Sequence, residues 1–487
     1  MLKKSRLINF LAVFCCGIAM TSCSMFSGSQ GQSRTTGWAF NDPERSYITV
    51  KEESPQDIGP GLVPIEGGSF TMGATQENVF YEWNNTSRQV TVNSFFMDET
   101  EISNLDYIEY VHWLEIIYGK DLPDVAKQAL PDTLVWRNAM AYNEPMIEVY
   151  FRHPAYRDYP VVGVSWVQAR DYAIWRTDRV NENRLIEAGV IYYDPDQNMD
   201  NNFSTDAYLA GNYKGQIDEN GFTDVGDEEV VDRISMENGL LLPRYRIPTE
   251  AEWEYAALGL IGNNRDGSIV ERRTYPWNSL GLRAEDEDIR GQFVANFKRG
   301  AGDYMGIAGS RNDGYAFPAP IYSYYPNDYG LYNMAGNVSE WVYDVYRPLS
   351  FQDVADMNAV RGNDGSIGSG RLSYAKKIEE KLNINNPDTI DNNSKNSLYK
   401  KNFNDGDSWS GGTIQQSGLN TSEYTDLMYD YNKTTLISDR ARVYKGGSWA
   451  DGPYYLSPSV RRFLDEDDKS STIGFRCAMN MIAPMNY

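Results

Sequence analysis

The sequence predicts a loop-rich α+β fold carrying long polar insertions, and three features point to it. Short runs with strand character are bounded by turn residues, and separate stretches show helical periodicity behind explicit N-caps. The third is composition: 41 Gly, 21 Pro, 35 Tyr and 11 Trp among 487 residues suit ordered loops packed around aromatic rings. Broad aromatic recognition surfaces are the other reading of that Tyr and Trp content.

Taken in chain order, Met1 to Arg6 is a basic start, Leu7 to Met20 is mostly apolar, and Thr21-Ser22-Cys23 follows. This is the pattern of a signal peptide over residues 1–22. The apolar run is too short to hold in about 30 Å of hydrocarbon, and no later run approaches the roughly 20 apolar residues of a spanning helix. Cys23 resembles the acylated cysteine of a bacterial lipobox, with ordinary signal-peptidase cleavage as the alternative. Acyl chains on it would hold a soluble domain at a membrane. Residues 23–58 then form a tether, rich in Ser, Gly and Gln at its start, and residues 59–487 form the folded domain.

Within that domain, residues 61–70 and Gln89 to Asn93 read as short strands, the second with period-two alternation. Ser103 can cap a helix that places Tyr107, Val111, Leu114 and Tyr118 on one face. Ser165 with Gln168 is a capping box ahead of Ala169, Tyr172 and Ala173. Thr249 with Glu252 is another, ahead of an apolar stripe of Trp253, Ala256, Ala257 and Leu260. Two insertions at about 187–240 and 348–440 are rich in Asn, Asp, Ser and Gly. They read as surface elaborations holding short elements, serving either as partner contacts or as solvated filler.

Charge and cysteines narrow the function. The net charge is −23, and removal of Lys3, Lys4 and Arg6, with no Asp or Glu in residues 1–22, makes it −26. That argues against nucleic acid as a partner. Cys15 and Cys16 leave with the signal and Cys23 carries lipid, so Cys477 alone remains and no intrachain disulfide can form. Stability must come from burial.

Seven blocks carry a resemblance: Gly68–Gly73 (GSFTMG), Phe96–Asn104 (FMDETEISN), Pro160–Trp166 (PVVGVSW), Tyr245–Ala257 (YRIPTEAEWEYAA), Gly330–Trp341 (GLYNMAGNVSEW), Lys445–Trp449 (KGGSW) and Gly474–Cys477 (GFRC). In this order they resemble the formylglycine-generating-enzyme, or sulfatase-modifying-factor, family. The resemblance implies an α+β fold of the C-type-lectin-like kind, with little regular secondary structure.

In active members two cysteines shortly after the GGS segment bind copper and, with oxygen, oxidise a substrate cysteine. The resemblance places Asp451 and Leu456 at those positions. A carboxylate and an aliphatic chain cannot replace thiolates on copper(I), so it implies a pseudoenzyme with no copper and no catalytic residues. A relative group binds iron through three histidines, whereas this chain has only His112 and His153. No Gly-rich phosphate loop, HExxH pattern or Cys/His cluster is present. Carboxylate pairs such as Asp98 with Glu99, or Asp465 to Asp468, leave a glycosidase-type acid and base open, although 68 acidic residues make chance pairs common.

The resemblance also implies two structural calcium sites. One joins the side chains of Asn296 and Asp313 with the carbonyls of Phe297 and Tyr315; the other joins Asn333 and Glu340 with the carbonyls of Gly336 and Val338. Oxygen donors of this kind suit a hard cation, and the alternative is that Asn and Asp simply close turns. The run Asp194, Asp196, Asn198, Asp200 is not an EF-hand loop, because Met199 stands where that loop needs Gly and Thr205 where it needs Glu.

Further stretches lie outside the general enzyme pattern: Thr36-Gly37-Trp38, Trp83 to Thr86, Leu130 to Asn138, Arg152 to Tyr156, and Trp175 to Glu182. They resemble the gliding-motility and type IX secretion lipoproteins of the GldJ and GldK kind in Bacteroidetes, GldJ most closely. That resemblance implies a scaffold in an outer-membrane machine, lipid-anchored on the periplasmic side and associated with other secretion or motility proteins. The alternative is a carbohydrate- or peptide-binding lipoprotein using the vacated cleft near Trp449, Asp451 and Tyr455.

Overall fold

A computed structural model describes residues 56–73, 85–138, 142–215, 239–259, 273–277, 281–285, 289–300, 314–347 and 440–482, with isolated positions at 35, 36, 38, 234, 236, 264, 265, 268, 269, 287, 359 and 360. The signal peptide, Cys23, most of the tether, Trp83, Asn84, Asp313 and nearly all of the 348–440 insertion lie outside the described residues. The chain divides into two units, Met1–Pro55 and Gln56–Tyr487, and the second is described below.

The strands form three four-stranded sheets. The first has the order β1 (Leu62–Ile65), β4 (Phe95–Asp98), β12 (Ala478–Asn480), β5 (Tyr245–Arg246). The second runs β10 (Arg462–Asp465), β9 (Ala441–Lys445), β8 (Ser339–Val345), β11 (Ile473–Gly474). The third runs β3 (Arg88–Val92), β2 (Gly68–Met72), β7 (Ser268–Ile269), β6 (Asn264–Arg265). Residues 61–70 therefore feed two different sheets, and Gly67 makes the break. A Cβ there would lie 2.5 Å from both the Val92 carbonyl oxygen and the Ser94 nitrogen, an approach only glycine permits. In β3 the expected alternation holds, with Val90 and Val92 inward and Gln89 and Thr91 outward.

Six helices are described: α1 (Asn104–Tyr118), α2 (Pro123–Ala129), α3 (Glu144–Val149), α4 (Trp166–Glu187), α5 (Thr205–Leu209) and α6 (Glu250–Leu258). The caps at Ser165 and Thr249 are both reciprocal capping boxes, and Ser103 forms a third with Asp106. On α1 the buried face is Tyr107, Tyr110, Val111, Leu114 and Ile117, while Tyr118, in the last turn, is half-buried. Gly259 ends α6 in the left-handed region at φ 53°, so the stripe of Trp253, Ala256 and Ala257 stops at Leu258. Leu260 falls beyond the helix and outside the described residues.

Sheet one is buried on both faces. Along β4, Phe96 packs into one core with Tyr107, Trp166, Tyr172, Trp341, Phe475 and Cys477, whereas Phe95 and Met97 point into a second core with Phe70, Trp253, Val342 and Val443. Each such side chain contributes about 1.5–3 kcal/mol on burial. The first insertion is less polar in effect than in composition: Val190, Ile191, Phe203 and Tyr208 close on Leu185 and Leu241 as a satellite core. In its acidic run Asp194 accepts from the Asp196 amide and Asn198 from the Asp200 amide, which are local turn closures.

Candidate functional site

The segment that follows β9 carries the GGSW block and the two positions, Asp451 and Leu456, singled out by the resemblance. Gly446 and Gly447 turn the chain with φ of 94° and 68°. A Cβ on Gly446 would press on the Trp253 ring at 3.1 Å, and one on Gly447 on the Tyr455 carbonyl at 2.7 Å. The turn delivers Ser448, Trp449 and Asp451, and a 3-10 turn over Pro453–Leu456 delivers Leu456.

Those two positions sit in different surroundings. Arg462 grips Asp451 with two bonds of 2.8 Å, while Ser448 Oγ lies 2.5 Å from the same carboxylate. Arg462 also donates to Ser339 Oγ at 2.8 Å and stacks over the rings of Tyr444 and Tyr455. Leu456 is fully buried against Ala295, Phe297 and Ala335. Trp449 is sealed between Trp136 and Phe317, with ring centroids at 5.9 and 5.5 Å. Of the proposed cleft aromatics only Tyr455 reaches solvent. Among the described residues the free cysteine is Cys477, deep in the first core, where burial pushes its thiol well above the ordinary range. His112 and His153 both lie at the surface, His153 capping a 3-10 turn through Nδ1.

Among the described residues, the first candidate calcium set keeps Asn296, Phe297 and Tyr315, and the second lies on the loop from Asn333 to Glu340. Asn296 accepts from the Asn337 amide through its carbonyl and donates from its side chain to the Phe317 carbonyl at 2.9 Å. Its expected partner Asp313 lies outside the described residues, while Tyr315 packs against Tyr324. The second loop places Asn333, Gly336 and Asn337 at φ of 54°, 81° and 60°. Glu340 Oε1 accepts from Arg476 at 2.6 Å, and its Oε2 accepts from Arg476 and from the Trp253 indole, both at 2.7 Å. Of about four lone-pair directions on a carboxylate, these use three. Asn333 spends its amide protons on Glu101 and the Ile321 carbonyl, both at 2.9 Å, so its amide oxygen faces away from them.

Arg476 pairs with Glu340 alone, while the buried Glu101 takes the Asn333 and Asn337 amides and is pushed by burial up to about 8 against the longer-range pull of Arg476. Asn333, Glu340 and the carbonyls of Gly336 and Val338 are oxygen donors of the type calcium takes, but they supply four of the roughly six to eight it needs, and Glu340 has about one lone-pair direction left for it. No group of three or more His, Cys, Asp or Glu among the described residues could hold a metal, so any cation there depends on amide and carbonyl oxygens.

A second buried cluster went unnoticed in the sequence. Glu250 and Glu254, one turn apart on α6, meet Lys445 Nζ at 3.2 and 2.6 Å, and Arg461 meets Glu250 at 2.7 Å. Burial pushes the Glu250 carboxyl up, but Arg461 and Lys445 override it and hold it at about 2. The signal lay in the blocks themselves: the acids of TEAEWEYAA and the lysine of KGGSW are partners, and the tryptophan of the first block bonds the glutamate of GNVSEW.

Against known proteins, the sequence matches the sulfatase-modifying factor enzyme 1-like domain over residues 48–395 and 409–481. It is 25% identical over 303 residues to the formylglycine-generating enzyme of Mus musculus. It is 22% identical over 357 residues to the inactive C-alpha-formylglycine-generating enzyme 2 of Bos taurus, covering 68% of this chain and 85% of that one. The alignment covers 58% of this chain and 58% of the mouse enzyme, and 57% of the bovine formylglycine-generating enzyme, less than two thirds of either relative. PvdO from Pseudomonas aeruginosa superimposes with a TM-score of 0.42 at 16% identity, over 88% of this chain and 99% of that one.

Proposed function

The chain belongs to the sulfatase-modifying factor enzyme 1-like family, and within it we propose a non-catalytic role, as a structural lipoprotein of an outer-membrane gliding-motility or type IX secretion machine. The family includes formylglycine-generating enzymes and relatives named inactive. The observation that carries the reading is the pair Asp451 and Leu456: the carboxylate is consumed by Arg462 and Ser448, and the leucine is buried without a donor atom. Neither can serve copper(I), which wants thiolates.

In this reading acyl chains on Cys23 hold the domain on the periplasmic side of the outer membrane, calcium staples the Asn333–Glu340 loop, and other secretion or motility proteins dock on the surface. No helix among the described residues is long and apolar enough to cross a membrane. The branch-specific residues support a scaffold because they serve packing: Trp136 stacks on Trp449, Trp175 packs against Tyr110, and Arg179 lies over the Trp113 ring. A carbohydrate- or peptide-binding cleft has less to offer, since Trp449 is only 4% exposed.

The test is gentle detergent extraction of the tagged protein from its native membrane, followed by affinity purification. Co-purifying secretion or motility components, lost when Cys23 is replaced by serine, are the expected outcome. Release of the wild-type protein alone, with normal secretion in a deletion strain, would refute it.

A further inference from the structure

A cavity of about 410 Å³ opens between β3, the start of α6, the outer part of β8 and the residues after β12. Its size lies within the range of small-ligand sites, roughly 300–1,000 Å³. Val92, Ala251 and Met481 give it apolar walls, and Asn93, Thr249 and Asn480 add polar ones. β3 is the terminal strand of its sheet, so this wall ends in an open strand edge among the described residues.

Asp344 supplies the charge. One carboxylate oxygen accepts from the Glu250 amide at 2.7 Å, at the first turn of α6. No Lys, Arg or His of the described residues forms an ion pair with it, although it lines the cavity. The other acid of the wall, Glu252, is already held by Arg246 through two bonds of 2.7 and 2.6 Å. Burial and the nearby Glu250 push the Asp344 carboxyl up to about 6, outweighing the pull of Arg461 and Arg347, neither of which reaches it at ion-pair distance.

We propose that this cavity binds an organic cation, an alkylammonium or guanidinium group, with Asp344 as its counter-charge. An anion would meet two carboxylates. A divalent metal wants six or more oxygens, several of them charged, and only Asp344 is uncommitted. An alkyl stem, by contrast, lays methylenes on the apolar wall while its charged head reaches the carboxylate. The protein's charge of −23 draws cations to it at long range. The inference is independent of any membrane machine.

Calorimetric titration of the purified full chain tests it with three probes: n-butylammonium, the peptide acetyl-Gly-Lys-Gly-amide, and the same peptide with norleucine in place of lysine. Both cations bind saturably and the norleucine peptide does not. Asp344→Asn weakens the cations by ~10-fold or more, because asparagine keeps an acceptor for the Glu250 amide and loses only the charge. Ala251→Leu, which narrows the cavity and leaves the charge in place, weakens them as well and carries the test if Asp344→Asn fails to fold. A lysine peptide much tighter than butylammonium identifies the source as a partner's side chain; equal affinities identify a free amine. Equal binding of lysine and norleucine peptides, undiminished binding by the variants, or no saturable binding of either cation would overturn the proposal.

Discussion

Replacing Lys445 with methionine keeps most of the side-chain volume and removes a charge buried to the last atom. Its ammonium lies 2.6 Å from Glu254 and 3.2 Å from Glu250. At an effective dielectric of about 20 these separations correspond to about 6 and 5 kcal/mol of gross attraction. Desolvation offsets much of that, and breaking a buried pair costs about 3–5 kcal/mol net. Glu250 keeps Arg461 at ion-pair distance, whereas Glu254 keeps the Gly73 amide at 2.7 Å and the longer-range pull of Arg88, so the stranded charge is mainly Glu254. We expect a loss of about 4 kcal/mol. Over the roughly 430 residues of the Gln56–Tyr487 unit, at about 2.1 cal/mol/K per residue, this lowers Tm by about 4–5 °C. Urea unfolding followed by tryptophan fluorescence reads the loss, and adding Glu254→Gln recovers about half of it by neutralising the orphan. A cost below about 1 kcal/mol, the worth of an exposed pair, would refute the reasoning.

Acid should act through the same cluster. Glu250 has a folded pKa of about 2, against an ordinary 4.5, so its contribution is present above 4.5 and disappears as pH falls from there toward 2. Unfolding measured at pH 5 and pH 3 should show a loss that Glu250→Gln abolishes. Asn337→Ala removes side-chain bonds to Glu101 and the Ala319 amide and strains a backbone at φ 60°, so a destabilisation of about 3 kcal/mol is expected by denaturant titration. Calcium at 100-fold over its Kd should stabilise the domain by about 2.7 kcal/mol relative to chelator, and identical melts with and without it would count against the Asn333–Glu340 site.

What the sequence made legible was local. The capping boxes at Ser165 and Thr249 span four residues each, and β3 announces itself by alternation over five. What stayed hidden depends on distance along the chain. Lys445 and Glu250 are 195 positions apart, and neither is unusual in its own neighbourhood. The two-residue strands β5 and β11 carry no periodicity at all, since they exist only through β12 and β8 beside them. The satellite core of the first insertion escaped because Val190, Ile191, Phe203 and Tyr208 are scattered among polar residues, and proximity rather than pattern unites them. At the candidate site, the resemblance singled out Asp451 and Leu456, but their surroundings, one in an ion pair and one in a core, required partners from β10 and the 295–297 loop.

The Gln56 side chain donates to the Asn480 carbonyl at 3.2 Å and accepts from the Ile482 amide at 2.7 Å. Entry and exit therefore share one corner, and a load applied through both ends meets this clasp and the neighbouring β12 first. The same closeness makes the domain a candidate for circular permutation: a short bridge across the clasp would free the choice of where the chain is cut, and with it the choice of which side is suspended and which faces outward.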